Sequence, residues 1–155
     1  MAVGEDIAAD ILIAWKSQLD LTANATVVDA QLPGGIWKDE KQADANFKEN
    51  EVDVGEPYGI LSIDFDVRSG GTCQTYYHTT EVSLTIHGKQ DSDVEGPARA
   101  VGAIIDGFKR LDLQSGEKVI NHKRIGESSI GSPQKEQAQY TITWEMQRTR
   151  PRADL

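Results

Sequence analysis

Asp64 and Asp66 stand two residues apart in an alternating run, and a strand would put both carboxylates on one face. Two acids held that way could grip a metal ion or share a proton, with one pKa driven upward. The same alternation, with Leu61, Ile63, Phe65 and Val67 facing inward and Ser62, Asp64, Asp66 and Arg68 facing out, explains them as solvent-facing positions of a half-buried strand. This plainer reading is preferred. His78, His87 and Cys73 are the next candidates for metal ligation. On one unbroken strand His78 shares its side with Val82 and His87 with Glu81, so the two imidazoles point apart. Neither Cys-x-x-Cys nor His-Glu-x-x-His spacing occurs. Asp64, Glu81 and Lys89 contain the residue types of a nuclease-like metal site, but their spacing does not by itself bring them together. Ser69, Ser128 and Ser129 lack a nucleophile motif. Ser69-Gly70-Gly71-Thr72 leads into a strand and not a helix N-terminus, so it is no phosphate cradle. No catalytic residue, cofactor site or metal site is assigned.

Composition narrows the function classes. The chain has 155 residues and a formal charge of −9, which argues against a general nucleic-acid binder. It leaves open a surface that DNA passes without being gripped. Cys73 is the only cysteine, so no disulfide forms within the chain, and a reducing compartment fits. No apolar run approaches the roughly 20 residues that span a bilayer. Met1–Gly4 has no basic stretch, so no secretory signal is expected and the Asn24-Ala25-Thr26 triplet carries no glycan.

The elements that must position these residues centre on 76–111. Val82, Leu84 and Ile86 alternate with Glu81, Ser83, Thr85 and His87, which predicts a half-buried strand. Val94, Ala98, Val101, Ile104, Ile105, Phe108 and Leu111 then form one helical stripe able to cover it. Ser92 with Glu95 could cap that helix, and Pro97 suits its first turn. Upstream, Gly4–Leu19 reads as a helix with Ile7, Ile11, Leu12, Trp15 and Leu19 on one side. Asn24 reads as a stop, Thr26–Ala30 as a short strand, and Pro33-Gly34-Gly35 as a turn before Ile36-Trp37.

Lys38–Pro57 carries seven acids against three lysines and is read as a long, partly mobile loop that orders against a partner. Tyr58–Arg68 and the 76–88 strand form a hairpin. Lys118–Ile125 has moderate strand character, Gly126–Gly131 with Pro133 reads as a loop, and Gln139–Gln147 is a cleanly alternating strand. Residues 148–155 read as a flexible basic tail. The expected fold is one α+β domain over 1–155: an antiparallel sheet, mixed at its edges, with two main helices on one face.

This layout of opening helix, Pro-Gly turn, long polar loop, Pro57-Tyr58-Gly59-Ile60-Leu61-Ser62-Ile63, the Tyr76–Gly88 strand, the Val94–Leu111 helix and the closing Tyr140–Met146 strand resembles the tail-terminator and head–tail connection proteins of long-tailed bacteriophages. The resemblance covers about residues 5–148 and is one of pattern. It implies a virion protein, made in the host cytoplasm, that forms a homo-hexameric ring. The ring would cap the tail tube protein, meet the head–tail connector protein and let DNA through its pore; a head-completion role in the same particle is the alternative. It implies no catalytic residues. Candidate contacts to neighbouring subunits or partners are Trp37, Lys38, Asp39, Phe47, Arg148, Arg150 and Arg152, and candidate pore acids are Asp64, Asp66 and Glu81. Opposite charges on the 38–57 loop and the arginine tail would favour head-to-tail docking.

Overall fold

The computed structural model describes residues 7–39, 43, 57–71, 75–89, 91–108, 111–113, 118–132 and 137–151. Its elements are α1 (Ile7–Leu19), α2 (Thr22–Gln31), β1 (Ile36–Trp37), β2 (Tyr58–Gly71), β3 (Thr75–Gly88), α3 (Asp91–Asp106), β4 (Leu111–Asp112), β5 (Lys118–Ser132) and β6 (Gln137–Pro151). The six strands form one sheet in the order β1-β2-β3-β6-β5-β4. Only the β1–β2 pair is parallel. The α+β class and the mixed edge agree with the sequence reading, with three helices where two main ones were expected.

One face of the sheet is apolar because the alternation makes it so. Leu61, Val82, Leu84, Ile86, Ile142, Trp144 and Met146 are all fully buried there. Register keeps them in rows: Leu61 pairs with Leu84 and Leu84 with Ile142, while Val82 pairs with Trp144. The helices cover this face with Ile11, Trp15 and Leu19 of α1 and Val94, Ala98, Val101 and Ile105 of α3. Each such aliphatic side chain contributes about 1.5–3 kcal/mol on burial. Gly102 allows α3 to come close; a Cβ there would stand 2.9 Å from Ile142 and 2.7 Å from the Arg124 guanidinium.

Aromatic rings fill the far end of the core. Trp15 meets Trp144 edge-on at 5.4 Å and Phe108 at 6.2 Å, and His122 lies against Trp144 at 6.0 Å. Neither His122 nitrogen has a hydrogen-bond partner among the described residues. Burial lowers its pKa from 6.5 to about 4, against the opposing pull of Asp106.

Several expectations change. Thr26–Ala30 is not a strand but part of α2, because a β-branched Thr-Val-Val run costs a helix only a few tenths of a kcal/mol per residue and packing overrides it. Val28 and Leu32 pack onto the core. Asn24 does not end a helix by itself; it sits in α2 and donates from Nδ2 to the Gln18 carbonyl at 2.8 Å, serving an end carbonyl of α1. Pro97 lies inside α3, beyond its first turn. The predicted stripe outruns that helix: the chain turns at Gly107, and Leu111 belongs to β4.

Lys118–Ser132 is one strand, where a strand followed by a loop was expected. Register shifts between Val119 and Asn121 and between Arg124 and Gly126 break its period of two. Arg148–Pro151 is likewise strand, with Arg150 paired to Tyr76 and Pro151 to Thr75, so a flexible tail does not begin at 148. Arg152, Phe47 and most of 38–57 lie outside the described residues; Lys38, Asp39, Ala43 and Pro57 lie within them.

Candidate assembly surfaces

The second face of the sheet has no helix packed on it among the described residues. Its side chains come from the polar half of each alternation: Ser62, Ser83, Thr85, Thr141, Thr143, Glu81 and Glu145. They make cross-strand bonds. Ser83 Oγ lies 2.8 Å from Thr143 Oγ1, and Thr85 Oγ1 lies 3.1 Å from Thr141 Oγ1. Ser83 also donates to the Asp64 carboxylate. Tyr58 and His87 stack at 4.9 Å and 11°. Glu81 pairs directly with Glu145, a repulsive arrangement eased by Lys123 at 3.9 Å from Glu145.

Ser83 has a carboxylate partner but no imidazole beside it, since His87 is four residues along the strand, about 13 Å away at the usual rise. His78 pairs with Arg148 on the helix-covered face, so the two histidines do point apart. Among the described residues no three His, Cys, Asp or Glu side chains gather to hold a metal. No described helix is long and apolar enough to cross a membrane.

The regular alternation that would put Asp64 and Asp66 on one face is broken between them. The register slips between Ile63 and Phe65, leaving Asp64 as the extra residue of a bulge. Asp64 reaches Ser83 on the open face, whereas Asp66 takes the position opposite Thr80, whose side chain is buried under the helices. Phe65 accordingly takes the register position opposite Glu81, where an unbroken alternation would have put it opposite Thr80. Glu81 is half-buried on the open face with Asp64.

The candidate contact residues separate. Trp37 is half-buried, donates from Nε1 to the Gly34 carbonyl at 2.7 Å, and carries the Lys16 ammonium 4.5 Å from its ring centre. It helps line a cleft of about 220 Å³ with Lys16, Asp20, Asp29 and Pro33. Burial lowers the Lys16 pKa, and Asp20 opposes the shift. The cleft depends on Gly35, whose φ of +83° is one that L side chains rarely adopt. Lys38 is half-buried and Asp39 exposed. Arg148 is only 2% exposed and donates from Nε to Thr80 Oγ1 at 2.9 Å, so its guanidinium is engaged inside the subunit and does not face a neighbour.

A polar clamp on the helix-covered side has no counterpart in the sequence reading. Asp106 accepts from Trp144 Nε1 at 2.8 Å and from Arg124 at 3.0 and 2.7 Å. Arg124 also meets Glu127, which accepts from the Tyr140 hydroxyl. The Tyr140 bond, then Arg124, pulls the Glu127 pKa down, and Glu127 pushes the Tyr140 pKa up. Its members come from α3, β5 and β6, so no local spacing announced it.

No known family description matches the sequence, and no curated protein sequence matches it. The fold has a counterpart among solved structures. A chain from the virion of a native gene transfer agent (GTA) particle is similar, with a TM-score of 0.67 at 10% identity, covering 94% of this chain and 99% of that one. At that identity the likeness is one of fold.

Proposed function

We propose that this chain is a structural virion protein that acts as a tail terminator, a ring subunit that caps the tail tube and joins it to the head. The observation that carries the reading is the fold shared with a virion chain over nearly the whole of both chains. The sequence layout supports it independently, as does a sheet face whose hydroxyls bond across the strands to one another. In this reading copies of the chain form a closed ring, a hexamer by the family resemblance. One rim meets the tail tube protein and the other the head–tail connector protein. DNA passes through the pore.

Asp64 and Glu81, which share the open face, are the acids assigned to the pore wall; negative charge there keeps the phosphate backbone from sticking. Lys38 and Asp39, at the start of the acidic stretch, are assigned to partner contact. The chemistry is that of surfaces and asks for no cofactor or metal. Native mass measurement and negative-stain imaging test it, alone and with tail tubes. A ring, or a monomer that forms one on tubes, is expected; a strict monomer that never caps a tube overturns the reading. Deleting the gene should leave overlong tails, whereas filled heads without tails would move the role to head completion.

A further inference from the structure

The cleft beside Trp37 and the outward side of α3 stand at opposite margins of the subunit. Ile36, in the floor of the cleft, belongs to β1, the strand at one end of the sheet. It begins a row that runs through Gly59 and Ile86 to Tyr140 and ends at Ser129 of β5. At that height no described strand lies beyond β5, because β4 reaches only Lys118 and Val119. Ile36, Ile86 and Tyr140 all pack in the core under the helices, so both ends of the row are on the helical side. Three strand spacings, about 14 Å, separate Ile36 from Tyr140 within one chain.

The cleft has the size and lining of a socket for one side chain. Its volume of about 220 Å³ is below the roughly 300–1,000 Å³ of sites that take cofactors and other small ligands. Leu19, Leu32 and Ile36 are buried in its floor. Asp20 and Asp29 stand exposed on its rim. Neither carboxylate makes an ion pair among the described residues. Lys16, the one basic side chain in the lining, is held over the Trp37 ring. Two acids against one ammonium leave the cleft negative. An apolar stem that ends in a cation complements it, and a guanidinium has donors enough for two carboxylates.

The other margin offers such a side chain. Of the arginines whose side chains are described, Arg124 is held by Asp106 and Glu127, and Arg148 is buried against Thr80. Arg99 is exposed on α3 and makes no ion pair among the described residues. It lies one turn before Gly102 and two turns before Asp106, on the flank of α3 that meets Arg124. Its charge reaches the Tyr140 hydroxyl, at the far end of the row from Ile36. Rotation about an axis along the strands keeps both height and side. It therefore brings the Arg99 margin of one copy against the cleft margin of the next.

We propose that Arg99 of one copy enters the Trp37 cleft of the next, with its stem on Leu19 and Leu32 and its guanidinium between Asp20 and Asp29. The contact is head-to-tail, so repetition closes a ring. It joins helical side to helical side and uses no strand edge. A planar cation seated in an apolar pocket and ringed by drier contacts is the usual form of an interface anchor. The inference rests on the ring reading and names the contact that makes the ring.

The test uses the full chain, alone and with tail tubes, with native mass measured for each variant and the urea midpoint recorded to show that it folds. Arg99→Glu and Asp29→Arg should each weaken association about tenfold or more, as loss of an anchor does. Mixing the two variants should restore the multimer, because every junction of an alternating ring then carries either the native pair or the reversed one. Both changes in one chain should restore it as well. A multimer untouched by either change overturns the contact and leaves the ring reading standing. Losses that neither the mixture nor the double variant repairs come from within the subunit and also overturn the contact. A monomer under all conditions, tail tubes included, overturns both readings. If a reversal prevents folding, Arg99→Gln and Asp29→Asn take its place. Each should weaken association, and together they should cost less than the sum of the two; full additivity overturns the contact.

Discussion

The two faces of the sheet are made by the same strands and behave as different materials. Facing the helices, Leu84, Ile142 and Trp144 are sealed from water, and some of the polar groups beside them are clamped, as Asp106 is by Trp144 and Arg124. Across the backbone, Ser83, Thr85, Thr141 and Thr143 bond sideways to one another. The first face holds the subunit together by removing apolar area from water. The second contributes little to that and is left available for contact. With this division the open face can change without unfolding the other.

The sharpest way to break the contrast is to cut one residue from the covered face. Trp144→Ala should cost about 3–5 kcal/mol in urea unfolding, since it empties a buried site and leaves Asp106 short of a donor. A loss near that expected for an open-face residue would show that the helices do not seal the core as described. Acid is the next lever. His122 is held neutral with a pKa of about 4 instead of 6.5. Its contribution is complete above the unfolded value and lost as pH falls through the folded one, because only the unfolded chain takes the proton in between. At roughly 1.4 kcal/mol per unit, the fold should lose up to about 3 kcal/mol between pH 6.5 and 4 from this group. His122→Phe should flatten that part of the pH profile, and an unchanged profile would place the acid sensitivity elsewhere. The smallest effect belongs to the open face. Glu81→Gln should stabilise the monomer by about 0.2–1 kcal/mol at low salt by relieving Glu145, with the gain fading as salt rises. A loss of several kcal/mol there would mean that the open face is part of the core after all.

The covered face could be read in the amino acids almost residue by residue. The β3 and β6 alternations, the α1 face and most of the α3 stripe follow from apolar spacing that burial rewards directly. Apart from α2, whose Thr-Val-Val run read as a strand, and the start of α3, what escaped depended on a partner strand. The bulges at Asp64 and Ile125 change which side the following residues occupy, and no local pattern announces a bulge opposite a strand far along the chain. Gly126 suggested a loop because glycine suits both a turn and a bulge, and only the pairing with β6 decides between them. Arg148 looked like part of a soluble end because its neighbours are basic, yet β3 reaches far enough to hold it in the sheet. On the open face, the outward residues of β3 and β6 were legible singly, but their hydroxyl pairing needed the register.

The central ladder joins Thr75 to Pro151 and Gly88 to Ala138, so the middle of the sheet is made from parts far apart in the chain. During synthesis the β2–β3 hairpin emerges first and waits with an open inner flank until β6 leaves the ribosome. Such non-local pairing slows folding. The apolar face that the helices seal is complete only after that late step, because Ile142, Trp144 and Met146 all come from β6.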